Sequence, residues 1–205
     1  MVEIEHHLTP HHRLTELASL SPVPPWNALT NPAKAEVRQQ LNNEQHGLCV
    51  YCERHLRPDH GRIDHIACQK NNGNLRFEYS NLCHSCSGYY QTDQGESRVL
   101  TCDPVKGHAS LGSVEPRPGV NRKISLNPAT GELRANESLS LAEKEEVDSV
   151  LSTLGLNNSA KLKDDRRAAL EDLIDSLEYD EDALMLLSPR EEYYWTMKEF
   201  FFPQA

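Results

Sequence analysis

Between Gln45 and Lys106 the chain carries, in order, QHGLCVYCE, RIDHI, EYSNLCHSCSG and TCDPVKG. Cys49-Val-Tyr-Cys52 has the two-residue spacing with which one tight turn aims two thiolates at a tetrahedral zinc ion. A four-thiol site needs a second pair, and two are on offer. Cys83-His-Ser-Cys86 repeats the compact spacing, whereas Cys86 with Cys102 closes a 15-residue loop. Spacing by itself favours the compact pair. Cys68 reads as a buried thiol. A segment pinned in this way folds as a loop-rich, Gly-punctuated unit around metal.

At 205 residues the chain can bury a core without disulfides. It has no apolar run long enough to span a bilayer and no signal-peptide pattern in MVEIEHHLTPHH, so a cytoplasmic protein with no membrane contact is expected. The six cysteines then read as thiols or metal ligands, not as a disulfide framework. Charge is uneven. Residues 1–131 hold 13 Lys+Arg against 13 Asp+Glu, and residues 132–205 hold 8 against 18. Nucleic-acid proteins usually present a basic face, because phosphate neutralisation supplies much of their affinity. This chain alone is a weak polyanion binder, which argues against a nucleic-acid enzyme or for a basic partner.

The organisation predicted is an N-terminal arm (1–30), a central domain with a zinc knuckle (31–136) and a helical C-terminal region (137–205) suited to docking a partner. SPVPPW argues for an extended arm, and His6, His7, His11 and His12 for solvated or partner-facing side chains. A helix from Asn31 to about Gln45 follows from Asn31 as N-cap, Pro32 at the first position and Ala33, Val37 and Leu41 on one face. NPATGEL suggests a strand pair closing on Thr130-Gly131. Ser140 and Glu143 form a capping box, Val147, Val150, Leu151 and Leu154 repeat at helical spacing, and Gly155 ends that helix. Further helices are expected over roughly 159–178, 180–187 and 190–201. Arg166 and Arg167 are expected to pair with neighbouring acids, and the aromatic end, Tyr193 to Phe202, to serve as core or interface anchor.

Asp64-His65 turns the question to chemistry. Phosphodiester hydrolysis needs a base to activate water and a cation to stabilise charge on the phosphate. A neutral His serves as base near pH 7, and carboxylates hold Mg²⁺. Arg62-Ile63-Asp64-His65-Ile66 reads as a short strand, whose neighbouring side chains point to opposite faces, so Asp64 and His65 meet in one site only at a strand end or bend. Asn81-Leu82 reads as the opening of a helix, and Asp103 directly follows a cysteine.

Cys-x2-Cys, Ile-Asp-His-Ile, Asn-Leu, and Cys followed by Asp-x-x-Lys, in this order, resemble the HNH endonuclease pattern with its ββα-metal fold. The resemblance implies an α+β protein with a zinc-stapled ββα-metal core. It implies His65 as general base, Asn81 as brace of the His-bearing loop, and Asp64 and Asp103 as ligands of a catalytic Mg²⁺ or Mn²⁺. It also favours Cys86 over Cys83, giving Cys49, Cys52, Cys86 and Cys102 as the structural zinc site. EQHGLCVYCE, NLCHSCSG, TCDPVKG and LGLNNSAKLKDDRR are similar to the small HNH subunit of Septu-type and retron-associated antiphage systems, which works beside an ABC-type ATPase. One departure is Asp64-His65-Ile-Ala-Cys-Gln-Lys70, where that family often has Glu-His and then Phe-x-Pro-Lys. The function expected is nucleic-acid cleavage, of DNA ahead of RNA, in phage defence. Two other readings stay open: a non-catalytic zinc adaptor tethering nucleic acid or an ATPase, and an RNase acting on a folded RNA such as tRNA.

Overall fold

The computed structural model describes residues 1–90, 99–179 and 188–201. Helix α1 (His12–Ala18) and helix α2 (Asn31–Glu44) lead into the knuckle. Thr30, not Asn31, takes the cap position of α2, with Pro32 in its first turn. Ala33, Val37 and Leu41 lie one helical turn apart, so they share a face, and they pack with Leu14, Leu17, Phe77, Tyr79 and Leu82. His46 and Gly47, both at positive φ (58° and 81°), reverse the chain after α2 and deliver it to Cys49.

Strand β1 (Arg62–His65) pairs antiparallel with β2 (Leu82–Ser85), Asp64 opposite Cys83 and His65 opposite Leu82. Asn81 closes a 3-10 turn and hands the chain to β2, so the helix expected from Asn81-Leu82 is a strand. A second small pair, β3 (Tyr89–Tyr90) with β4 (Val99–Leu100), folds the chain back and sets Cys102 ahead of the one-turn helix α3 (Asp103–Lys106). β2 is tied to α2: Gln45 Oε1 accepts the His84 N–H (2.7 Å), and Asn42 Nδ2 donates to His84 Nδ1 (3.1 Å). Because His84 Nε2 lies 2.7 Å from the His60 carbonyl, which can only accept, Nε2 carries the proton.

Beyond α3, β5 (Ile124–Leu126) and β6 (Leu133–Ala135) form the expected hairpin around Asn127–Gly131. Gly131 has φ +68°, and a Cβ there would meet the Lys163 carbonyl at 2.0 Å. Only glycine permits helix α5 (Ala160–Tyr179) to approach so closely. Helix α4 (Leu141–Thr153) opens on the Ser140–Glu143 capping box and lays Val147, Val150 and Leu151 into the core. The final helix, α6 (Tyr194–Phe201), is shorter than the 190–201 expected, with turns before it. The helix expected over 180–187 lies outside the described residues.

Both ends of the chain pack on the rest. Within the N-terminal arm, Val2 and Ile4 are fully buried, and their N–H groups donate to the carbonyls of Val50 and Pro116. Prolines make a segment extended; they do not stop it from packing. At the C-terminal end one apolar cluster joins the knuckle, β5, β6, α4, α5 and α6, and polar links reinforce it. The Cys102 N–H donates to Leu154 O at 2.7 Å, and the Thr196 hydroxyl and N–H donate to Glu53 at 2.6 and 3.1 Å. Arg166 is buried and donates to the carbonyls of Gly131 and Leu156, while Arg167 makes the expected pairs with Asp164 and Glu171. His6 and His11 do not stand in solvent either, each meeting a glutamate of α2, Glu44 and Glu36.

Candidate functional site

Four thiols meet in one place. The Sγ atoms of Cys49, Cys52, Cys86 and Cys102 lie within 4.8 Å of one another, with Cys49–Cys102 and Cys52–Cys86 at 3.9 Å. Zn–S bonds of about 2.3 Å at tetrahedral angles put sulfurs roughly 3.8 Å apart, so the donor set fits that ion in identity and spacing. The Cys86 N–H donates to Cys49 Sγ at 3.3 Å. Burial opposes ionisation of Cys49, yet the thiols of Cys102, Cys52 and Cys86 hold it well below the usual thiol range. Among the described residues no other cluster of three or more His, Cys, Asp or Glu side chains gathers ligand atoms in this way.

Cys83 stands apart because of its secondary structure. Cys83 lies on β2 and Cys86 directly after its end; along such an extended stretch residues i and i+3 point to opposite faces, so the compact pair does not aim both thiols at one ion. Cys83 Sγ instead lies 3.7 Å from the Tyr51 hydroxyl and from the Asp64 carbonyl. Burial, and then the Asp64 charge, push its thiol up, which keeps it protonated.

At the end of β1 a cavity of about 380 Å³ is lined by Trp26, Arg62, Asp64, His65, Asp103 and His108, among others. His65 is the last residue of β1, and the strand end is what allows consecutive side chains to reach the same cavity. Its Nε2 lies 3.0 Å from the Arg76 carbonyl. A carbonyl only accepts, so Nε2 holds the proton and Nδ1 offers a lone pair. Burial holds the His65 imidazole below its usual pKa, which keeps it neutral at pH 7. Asn81 braces the loop after His65, accepting from Ala67 N–H at 2.8 Å and donating to the carbonyls of Ala67 (3.0 Å) and Leu75 (3.1 Å).

Asp64 is held from several sides. Its Oδ2 accepts the Tyr51 hydroxyl at 2.6 Å, its Oδ1 accepts the His65 N–H at 2.7 Å, and Lys106 Nζ lies 3.0 Å from Oδ2. The same ammonium donates to the His65 carbonyl at 2.8 Å. Asp103, first residue of α3, sits beside Asp64, and burial followed by the Asp64 carboxylate pushes its carboxyl up to about 6. Two carboxyl groups in mutual contact, with a buried lysine holding one of them, form a donor set suited to a hard divalent cation.

The shift at Asp103 has a measurable consequence. With divalent cations chelated, the folded state keeps a proton on Asp103 up to about pH 6, whereas the unfolded chain releases it near 3.8. Stability therefore falls as pH rises through that window, and the cost is fully present above it. Asp103→Asn removes the ionisable group and should stabilise the cation-free protein by about 1 kcal/mol at pH 7, after allowing for solvent screening of a partly exposed carboxylate. Urea unfolding at pH 7 and pH 4 reads this out; an equal gain at both would refute it.

Lys106 is the lysine of the Asp-x-x-Lys motif, but its grip on Asp64 and His65 has no signal in the sequence, and Tyr51 inside CVYC is marked by position alone. Trp26 and Arg76 reach His65 from distant segments, and nothing local announces them. Cys68 is buried as expected, but its Sγ lies 3.1 Å from His108 Nδ1 on the cavity wall. A roomier hollow of about 520 Å³ opens elsewhere, between Glu3, Glu44, His46 and Trp195. Size does not decide where chemistry happens, and the smaller cavity is where an imidazole and two carboxyl groups converge.

Fold and site thus define an α+β protein with a four-cysteine cluster able to hold a metal ion beside a His/Asp cavity. No family model matches the chain. A curated relative from Vibrio cholerae serotype O1 biovar El Tor, named "Retron Vc95 putative HNH endonuclease", is 30% identical over 144 residues, 69% of this chain and 66% of the relative. The chain is thus similar to a protein named as an HNH endonuclease. Its matched segment spans just under two thirds of that relative's length.

Proposed function

We propose that the protein is a metal-dependent HNH endonuclease that cleaves nucleic-acid phosphodiester bonds, built on a zinc-stapled ββα-metal core of β1, β2 and α3. The observation that supports this best is the His65 ring, fixed at Nε2 by the Arg76 carbonyl in the same cavity as Asp64 and Asp103. His65 takes the proton from the attacking water at Nδ1. Asn81 keeps the following loop, and with it the Arg76 carbonyl, in place. Asp64 and Asp103 hold Mg²⁺ or Mn²⁺, which supplies positive charge to the phosphate and the departing oxygen. Lys106 fixes both the Asp64 carboxylate and the His65 carbonyl, and so sets the geometry of the strand end. Cys49, Cys52, Cys86 and Cys102 hold a zinc ion that locks the knuckle to α3. Titrating Mg²⁺ into a cleavage assay of wild type and Asp103→Asn tests the ligand role. The variant should need a higher cation concentration, and superimposable curves would remove Asp103 from the site.

The zinc adaptor remains a second reading because the Lys106–Asp64 ion pair already satisfies one of the two carboxylates. Cation-dependent cleavage decides between the two, and running DNA and RNA side by side decides the substrate, for which DNA is the first choice.

The acid excess and the family resemblance support a role in phage defence beside an ABC-type ATPase subunit that carries the basic track. Tyr193 and Met197 are in the core, so the contact surface we assign is the exposed acidic face of α5 with Glu171, Asp172 and Asp175. Co-purification of the ATPase with wild type but not with Asp172→Lys/Asp175→Lys is the expected result. Unchanged co-purification would move the interface elsewhere. Among the described residues no helix is long and apolar enough to cross a membrane.

A further inference from the structure

Trp26 stands far from β1 in sequence, yet its ring meets the His65 imidazole edge-on, with centroids 4.7 Å apart and planes at 79°. The other contacts of the indole are organised. Phe77 stacks against it at 5.4 Å with planes at 22°, and the Lys34 ammonium lies 5.7 Å from the ring centroid. The segment that carries it is clasped by the Arg76 guanidinium, whose Nη1 donates to Pro24 O at 2.6 Å and lies 3.4 Å from Val23 O. Arg76 is also the residue whose carbonyl accepts the His65 Nε2–H at 3.0 Å. One residue therefore holds the imidazole through its backbone and, through its side chain, the segment that delivers the indole.

A ring fixed by a single hydrogen bond can still swing about that bond. An aromatic wall perpendicular to the imidazole removes that freedom and keeps water off the ring. We propose that Trp26 is a positioning residue for His65, delivered by the 22–26 segment and locked by Arg76, so that a wall of the catalytic cavity comes from outside the β1–β2–α3 unit. This rests on the reading of His65 as the base. The ring contacts of Trp26 are with His65, Phe77 and Lys34, so it bears on the orientation of the base and not on cation binding. Small displacements of a catalytic group cost large factors in rate, up to roughly 100-fold for 1 Å. Loss of the indole should therefore lower kcat about tenfold and leave KM and the Mg²⁺ requirement within about twofold.

The test compares wild type, Trp26→Leu, Trp26→Phe and His65→Ala, each checked for zinc content and melting temperature. Trp26→Leu keeps apolar volume without a ring, and Trp26→Phe restores a ring. The expected pattern is a kcat-selective loss in the Leu variant that is largely rescued in the Phe variant. A second measurement does not need turnover: long-range ¹H–¹⁵N spectra of the isolated full chain. Wild type should show His65 as a single Nε2–H tautomer in one environment, and Trp26→Leu should broaden or split its signals. Unchanged His65 signals in Trp26→Leu, or a change in KM instead of kcat, would overturn the proposal. If His65→Ala still cleaves at the wild-type rate, it is the reading of His65 itself that fails, and the spectra still report whether Trp26 orients the ring.

Discussion

Cys49→Ser and Cys52→Ser should abolish zinc binding and leave a chain that unfolds or aggregates at room temperature. The four sulfurs come from three separate stretches: the knuckle, the end of β2 and the residue before α3. These stretches share the apolar core, and an ion held by all four thiolates would cross-link them in addition. Structural zinc sites contribute about 10–16 kcal/mol of apparent binding free energy, against a total domain stability of about 5–15 kcal/mol. Losing one thiolate removes enough of that to invert the balance. The damage spreads because Glu53, next to Cys52, receives Thr196 of α6, and Cys102 donates to the end of α4. Cys83→Ser is the control. It should keep one zinc per chain and melt near wild type, since Cys83 contacts Tyr51 and Asp64 and not the cluster. Zinc loss in Cys83→Ser, or retention in Cys49→Ser, would contradict the assignment.

His65→Ala should reduce cleavage at least 100-fold with zinc content unchanged. A positioned general base contributes about 10²–10⁴ in rate, and among the described residues lining this cavity His65 is the imidazole held by a backbone carbonyl next to the paired carboxyl groups. The substitution leaves the partly buried Arg76 carbonyl without its donor and opens space beside Trp26, at a stability cost of about 1–3 kcal/mol. Melting temperature must therefore be measured alongside rate. A folded variant that keeps more than about a tenth of wild-type activity would remove His65 from the role of base.

Local features were readable in proportion to how local their physics is. The start of α2, the Ser140–Glu143 box, the hairpin near Thr130 and the turn at Gly155 are governed by residues within one or two turns. The spacing of Cys49 and Cys52 belongs to the same class. Choosing between Cys83 and Cys102 needed knowledge that β2 is a strand and that β3 and β4 fold Cys102 back, and spacing carries neither. The helix expected at Asn81 failed for a related reason: a residue suited to cap a helix here uses its amide to brace Ala67 and Leu75 across a loop. Prolines before Trp26 announced an extended segment and were silent about what it packs on. The acidic composition of the last third correctly described the surface of its helices, while their buried faces, anchored by Arg166, Tyr193 and Met197, belong to the common core.

Cation-dependent cleavage is the central claim. Purified wild-type protein, supplied with the ATPase subunit proposed as its partner, should cut duplex DNA in the presence of Mg²⁺ or Mn²⁺, stop on chelation of that cation under conditions that leave zinc bound, and lose cutting in His65→Ala. Cleavage that persists without the cation or without His65, or no cleavage of DNA or RNA by a zinc-loaded wild-type complex, would contradict the account.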